Sequence, residues 1–92
     1  MKNHKLHKIR KKLDKLDNKF LILIKKRTDL VNQVLLTKKF KNEIIDRKRI
    51  KKILNNIKIK SQKRKIDKKI TNAIWKAMIR AYIQYEFRNF KK

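Results

Sequence analysis

The fold of this chain is decided by residues 10–38, which read RKKLDKLDNKFLILIKKRTDLVNQVLLTK. Along this stretch apolar residues recur at alternating steps of four and three, as they do on one face of an amphipathic helix. We call this face the apolar seam; it consists of Ile9, Leu13, Leu16, Phe20, Leu23, Leu30 and Val34. The pattern predicts one long helix from about Leu6 to Lys39, with residues 1–5 frayed.

A cation interrupts the apolar seam. Four residues after Leu23 the pattern asks for an apolar residue, and the chain has Arg27. An arginine on a buried face is costly unless an anion meets it, although its long side chain can also extend to solvent. Lys38 follows roughly 16 Å further along the same helix, and Arg10 lies near the other end. These three cations predict an anionic ligand.

Two shorter helices are expected after the long one, which makes the chain all-α with three helices. Asp46 is the predicted N-cap of a second helix that ends near Lys60, and Asp67 is the predicted N-cap of a third. The basic run 61–65 is the loop between them. The third helix has two apolar stripes: one is Ile70, Ile74, Ala77, Met78 and Ala81, and the other is Trp75, Ile79, Tyr82, Glu86 and Phe90.

Two charged residues stand where these shorter helices are otherwise apolar. Arg49 lies one turn before Ile53 on the apolar side of the second helix, and Glu86 lies among aromatic residues of the third. The chain has only seven acidic residues, so an acid in such surroundings is a candidate functional group. Together with the cations of the first helix, these residues predict a pocket for a small dianion.

The net charge of +24 is the most extreme property of the chain. It suggests a nucleic acid or an anionic membrane surface as partner. However, Ile, Lys and Asn make up half of the residues while Gly and Pro are absent, which is the signature of an AT-rich genome. We therefore interpret most lysines as solvated surface and expect nucleic-acid binding to be weak and non-specific.

Length and composition set further bounds. Residues 1–92 are enough for one domain with a thin core, which oligomerisation would supplement. The chain has no Cys, and His4 and His7 lack a third ligand nearby, so we expect neither a disulfide nor a metal site. No apolar run approaches the roughly 18 residues of a membrane span, and no signal peptide is visible. We expect a cytoplasmic protein.

The first helix resembles that of the all-α chorismate mutase family. That family begins with an arginine, followed by paired Leu–Asp units and an apolar run. The corresponding residues here are Arg10, Leu13-Asp14, Leu16-Asp17 and Phe20–Leu23. The second arginine of the family corresponds to Arg27, and its lysine to Lys38.

The resemblance continues over the rest of the chain. Asp46 and Arg49 match the Asp-x-x-Arg opening of the second helix. Residues 66–68, Ile-Asp-Lys, stand where the family usually has a hydrophobe, Asp and Pro. Glu86 stands where the final helix usually has a Gln that faces the ether oxygen of the substrate.

This resemblance implies an intertwined homodimer that converts chorismate to prephenate without a cofactor or a metal. It implies that Arg27 and the partner's Arg10 bind the two carboxylates. It also implies that Lys38 and Glu86 contact the ether oxygen, while Asp46 and Arg49 help to order the pocket.

Two positions depart from the family pattern. Ile50 replaces a Glu that contacts the ring hydroxyl, and Tyr82 replaces a common Ser within the substrate-binding set. The related isochorismate–pyruvate lyases share the fold and can have an apolar residue at the first position, so a lyase is the alternative. A small basic nucleic-acid-binding protein is a third interpretation, which explains the charge but not Arg27.

Overall fold

The computed structural model describes residues 2–91, and over this range it is all-helical without a strand. The elements are α1 (Lys2–Thr37), a short 3-10 helix (Lys41–Glu43), α2 (Arg47–Lys63) and α3 (Lys68–Asn89). The predicted all-α class with three helices is confirmed. By internal contacts the chain forms two units, residues 1–33 and 34–92. Over residues 2–91, no helix combines the length and apolar character needed to cross a lipid bilayer.

Helix α1 is longer at its start than predicted. It begins at Lys2 rather than Leu6, so residues 2–5, which were expected to fray, are helical, and it ends at Thr37. Met1 lies outside the described residues. Every member of the apolar seam is between 48% and 60% exposed in the single chain. About half of the surface of each seam side chain is therefore exposed to solvent in the single chain.

Both predicted N-caps are confirmed. The Asp46 carboxylate accepts a hydrogen bond from the backbone N–H of Arg49 at 3.0 Å, and Asp67 accepts one from Lys69 at 2.8 Å. Each bond satisfies a backbone donor that the first turn of a helix otherwise leaves unpaired. These caps set the starts of α2 and α3 at the residues that the sequence indicates.

The predicted end of α2 near Lys60 is wrong by three residues. Ser61, expected in the loop, is helical and buried, and its hydroxyl donates to the carbonyl of Ile57 at 2.6 Å and pairs with the Thr71 hydroxyl at 2.8 Å. The helix then closes with a Schellman motif. In it, Ile66 N–H donates to the carbonyl of Ser61, and Lys65 adopts a φ of 55°.

The second unit has its own small core. Helices α2 and α3 pack against each other, and Leu35 and Ile44 are the buried apolar residues among those described. The two stripes of α3 differ. The stripe that contains Glu86 is buried or half-buried, whereas in the other stripe only Met78 is half-buried. The inward stripe places Glu86 inside the second unit.

Candidate active site

The centre of the candidate site is an ion pair between Lys38 and Glu86. The Lys38 Nζ atom donates to Glu86 Oε1 at 3.1 Å and to the carbonyl oxygen of Ile44 at 3.5 Å. The two charged side chains are only 15% and 9% exposed. These contacts join residues that are 48 positions apart in the sequence. The structure thus brings together two residues that sequence reasoning selected independently.

Three local features position the pair. Lys38 directly follows the end of α1, and its own N–H donates to the carbonyl of Leu35 at 3.1 Å. Ile44 is buried just after the 3-10 helix, which turns its carbonyl toward the lysine. Glu86 lies in the last turn of α3, on the half-buried stripe. The lysine is therefore held by backbone and side-chain oxygens from two other segments.

The chemistry of this pair follows from its burial. Removing two charges from water costs several kcal/mol, and good geometry with additional hydrogen bonds is needed to offset this cost. An ammonium group offers three N–H donors and no acceptor. A lysine fixed in such a position is suited to donate to an oxygen that gains negative charge. The buried pair is therefore a better candidate for a functional site than the many exposed lysines of the chain.

A cleft of about 570 Å³ adjoins this lysine. It is lined by Lys38, Glu43, Ile45, Asp46, Arg47 and Lys48. Sequence reasoning selected Lys38 and Asp46 from this set and missed the others. The signal that was available is their position beside the Asp46 cap, because residues at the start of a helix next to a connecting segment share one surface. The volume is in the range of small-molecule sites.

The remaining predicted residues of the second unit are less enclosed. Arg49 is exposed on the first turn of α2, where its backbone N–H engages Asp46. Tyr82 is half-buried one turn before Glu86, so the two share a face of α3. Its ring packs edge-to-face on that of Tyr85, with centroids 6.4 Å apart. This stacking restricts the orientation of Tyr82 beside the acid.

Arg10 and Arg27 belong to the first unit. Arg10 is exposed and Arg27 is half-buried. Both lie on α1, seventeen residues apart, which corresponds to about 25 Å along the helix. One chain therefore cannot present both guanidinium groups to the same small molecule.

The described part of the chain offers no cluster for a metal ion. Within residues 2–91, no group of three or more His, Cys, Asp or Glu side chains is close enough to hold one. His4 and His7 both lie on the exposed first turns of α1. These two histidines have no ligating side chains gathered around them in that part of the structure.

Comparison with known proteins gives one match. Residues 9–87 match the family model described as chorismate mutase type II. This match spans all three helices and includes every candidate site residue. No curated protein and no solved structure matches the chain.

Proposed function

Because the chain belongs to the chorismate mutase type II family, we propose that it is an isomerase that converts chorismate to prephenate. The observation that carries this proposal is the enclosed pair of Lys38 and Glu86, joined at 3.1 Å. The two side chains stand at the positions where the family has its lysine and its final polar residue. The proposed reaction is intramolecular and uses no cofactor.

The rearrangement breaks a carbon–oxygen ether bond while a carbon–carbon bond forms in the same molecule. Negative charge develops on the ether oxygen as the first bond breaks. Catalysis therefore needs positioning and a fixed donor at that oxygen, not a nucleophile. Lys38 supplies such a donor. Glu86 accepts a hydrogen bond from this lysine at 3.1 Å and thereby helps to hold its ammonium group in position.

The two carboxylates of chorismate need cationic partners. By family resemblance, these are Arg27 and the partner's Arg10. The 25 Å spacing along α1, from about 1.5 Å per residue, supports a pocket built from two chains. The exposed apolar seam supports the same conclusion, since a second copy of α1 would cover it. We therefore propose a homodimer that packs along α1.

The residues around the cleft have supporting roles in this proposal. Asp46 caps α2 and thereby orders the start of that helix, where Arg49 is exposed. Tyr82, one turn from Glu86, stands where the family often has Ser. Tyr82 is half-buried on the same stripe of α3 as Glu86.

An isochorismate–pyruvate lyase is the second candidate, and one specific observation favours it. Ile50 is half-buried on α2 directly after Arg49. Its side chain cannot hydrogen-bond the ring hydroxyl that a Glu would contact. The site therefore has one less polar group to discriminate chorismate from its isomer.

The deciding experiment offers purified protein each substrate separately. Prephenate formed from chorismate, with little product from isochorismate, supports the mutase. Salicylate and pyruvate formed from isochorismate, with chorismate unchanged, would support the lyase instead. Turnover of neither substrate by a folded dimer would contradict both assignments. Lys38→Ala serves as the inactive reference in each assay.

A further inference from the structure

A second cavity lies in the α2–α3 hairpin, away from the Lys38–Glu86 pair. It has a volume of about 500 Å³ and is lined by Leu54, Asn55, Ile57, Lys58, Lys68, Lys69, Thr71 and Asn72. Along α3, Asn72 precedes Glu86 by fourteen residues, or about 21 Å. The cavity is therefore separate from the candidate active site.

The charges that line this cavity are all of one sign. Three of the eight lining residues are lysines, and none of the eight is acidic. The acid nearest to Lys68 in the sequence is Asp67, which caps α3 by accepting a hydrogen bond from the backbone N–H of Lys69. The three lysines are exposed residues at the edge of one cavity, and an anion bound there would reduce the repulsion among their charges.

The other lining residues indicate the chemistry of the ligand. Leu54 and Ile57 provide an apolar surface, while Asn55 and Asn72 provide amide donors and acceptors. The volume suits a small organic molecule. We propose that this cavity binds a small organic anion that combines a doubly charged oxyanion group with a compact apolar body. The proposal does not rest on the proposed reaction, because its readout is binding.

Phenyl phosphate is the probe for this proposal, with phenol and inorganic phosphate as partial probes. Binding to the full chain is measured by calorimetry and by the fluorescence of Trp75, the only tryptophan, which lies one turn after Thr71 on α3. We expect a single site with a Kd on the order of 0.1–1 mM and weaker binding of both partial probes.

The variants separate the cavity from the general charge of the protein. Lys58→Gln/Lys68→Gln/Lys69→Gln should weaken phenyl phosphate binding at least about tenfold. Lys51→Gln/Lys60→Gln/Lys76→Gln removes the same charge from exposed positions outside the cavity, and should weaken it less than about threefold. Lys38→Ala should leave the binding unchanged. If the triple cavity variant loses helical content, Lys58→Gln and Lys51→Gln provide the same comparison singly.

Three results would overturn the proposal. Equal weakening by the two triple variants would mean a general attraction to a highly cationic protein. Loss of binding in Lys38→Ala would mean that the probe occupies the candidate active site. Absence of binding to the wild-type protein in its native oligomeric state would mean that the cavity holds no such anion.

Discussion

The two units of this chain differ in how completely each encloses its functional residues. In the second unit, Lys38 and Glu86 are held by contacts within one chain and are largely shielded from water. In the first unit, α1 carries two arginines of the family pattern and leaves its apolar seam 48–60% exposed. The difference indicates that the second unit carries the donor of the proposed reaction by itself. In the proposed homodimer, a second copy of α1 covers the seam of the first unit.

The largest effect is expected at the enclosed pair. Lys38→Ala removes the fixed donor to the ether oxygen and should lower kcat for chorismate by on the order of 10²–10³-fold. Lys39→Ala, at the exposed neighbouring position, is the matched control and should stay within about twofold. Steady-state kinetics on variants of equal helical content provide the measurement. Equal activities of the two variants would remove Lys38 from the reaction.

Replacement of the acid in the pair tests its role beside Lys38. Glu86→Ala should lose on the order of 10²-fold in rate. Glu86→Gln should retain substantial activity, because an amide oxygen can still accept from Lys38 and the amide NH₂ offers a donor.

Steady-state kinetics on variants of equal helical content give the measurement. A Glu86→Ala protein as active as the wild type would mean that Glu86 has no part in the reaction.

A substitution in the middle of the apolar seam tests whether the seam is the dimer interface. Phe20→Glu places a charge on a face that we expect to be buried between copies, and should weaken the dimer by about 10²-fold or more. Lys19→Glu alters the adjacent exposed position outside the seam and is the control. Sedimentation at several concentrations reports the oligomeric state. A Phe20→Glu protein that remains as dimeric as the control would place the interface elsewhere.

The smallest expected effect is on the stability of the second unit, at the end of α2. Lys65 has a φ of 55°, which is unfavourable for a residue with a Cβ atom. Lys65→Gly should raise the free energy of unfolding by roughly 0.5–1 kcal/mol. Urea denaturation followed by circular dichroism measures this change. A destabilised variant would indicate that the Lys65 side chain contributes contacts that outweigh the backbone cost.

Local signals in the sequence were sufficient for much of the fold. Asp46 and Asp67 identify the starts of α2 and α3, because a capping side chain acts within three residues of its own position. The end of α2 was predicted wrongly. Helices often end at a Gly with positive φ, but this chain has no Gly, and Lys65 occupies that position. Its extension depends on a hydroxyl pair between Ser61 and Thr71, ten residues apart. Such tertiary contacts have no local signature.

The candidate site was accessible from the sequence in part. Glu86 stands out as an acid in an otherwise apolar stripe, and Lys38 as a cation further along the helix from Arg27. The structure brings the two together. Arg47 and Lys48 were missed although they directly follow the Asp46 cap, because the chain has many other surface cations. The roles of Arg10 and Arg27 stay predictions, because they depend on a second chain.

Mixing two inactive variants tests the shared pocket most directly. Arg10→Ala and Arg27→Ala should each be inactive alone, because every pocket then lacks one guanidinium group. In a heterodimer, one pocket combines the intact Arg27 of one chain with the intact Arg10 of the other. After subunit exchange at equal concentrations, half of the dimers are mixed, so activity should recover to about a quarter of the wild-type value. No recovery despite demonstrated exchange would contradict a pocket built from two chains.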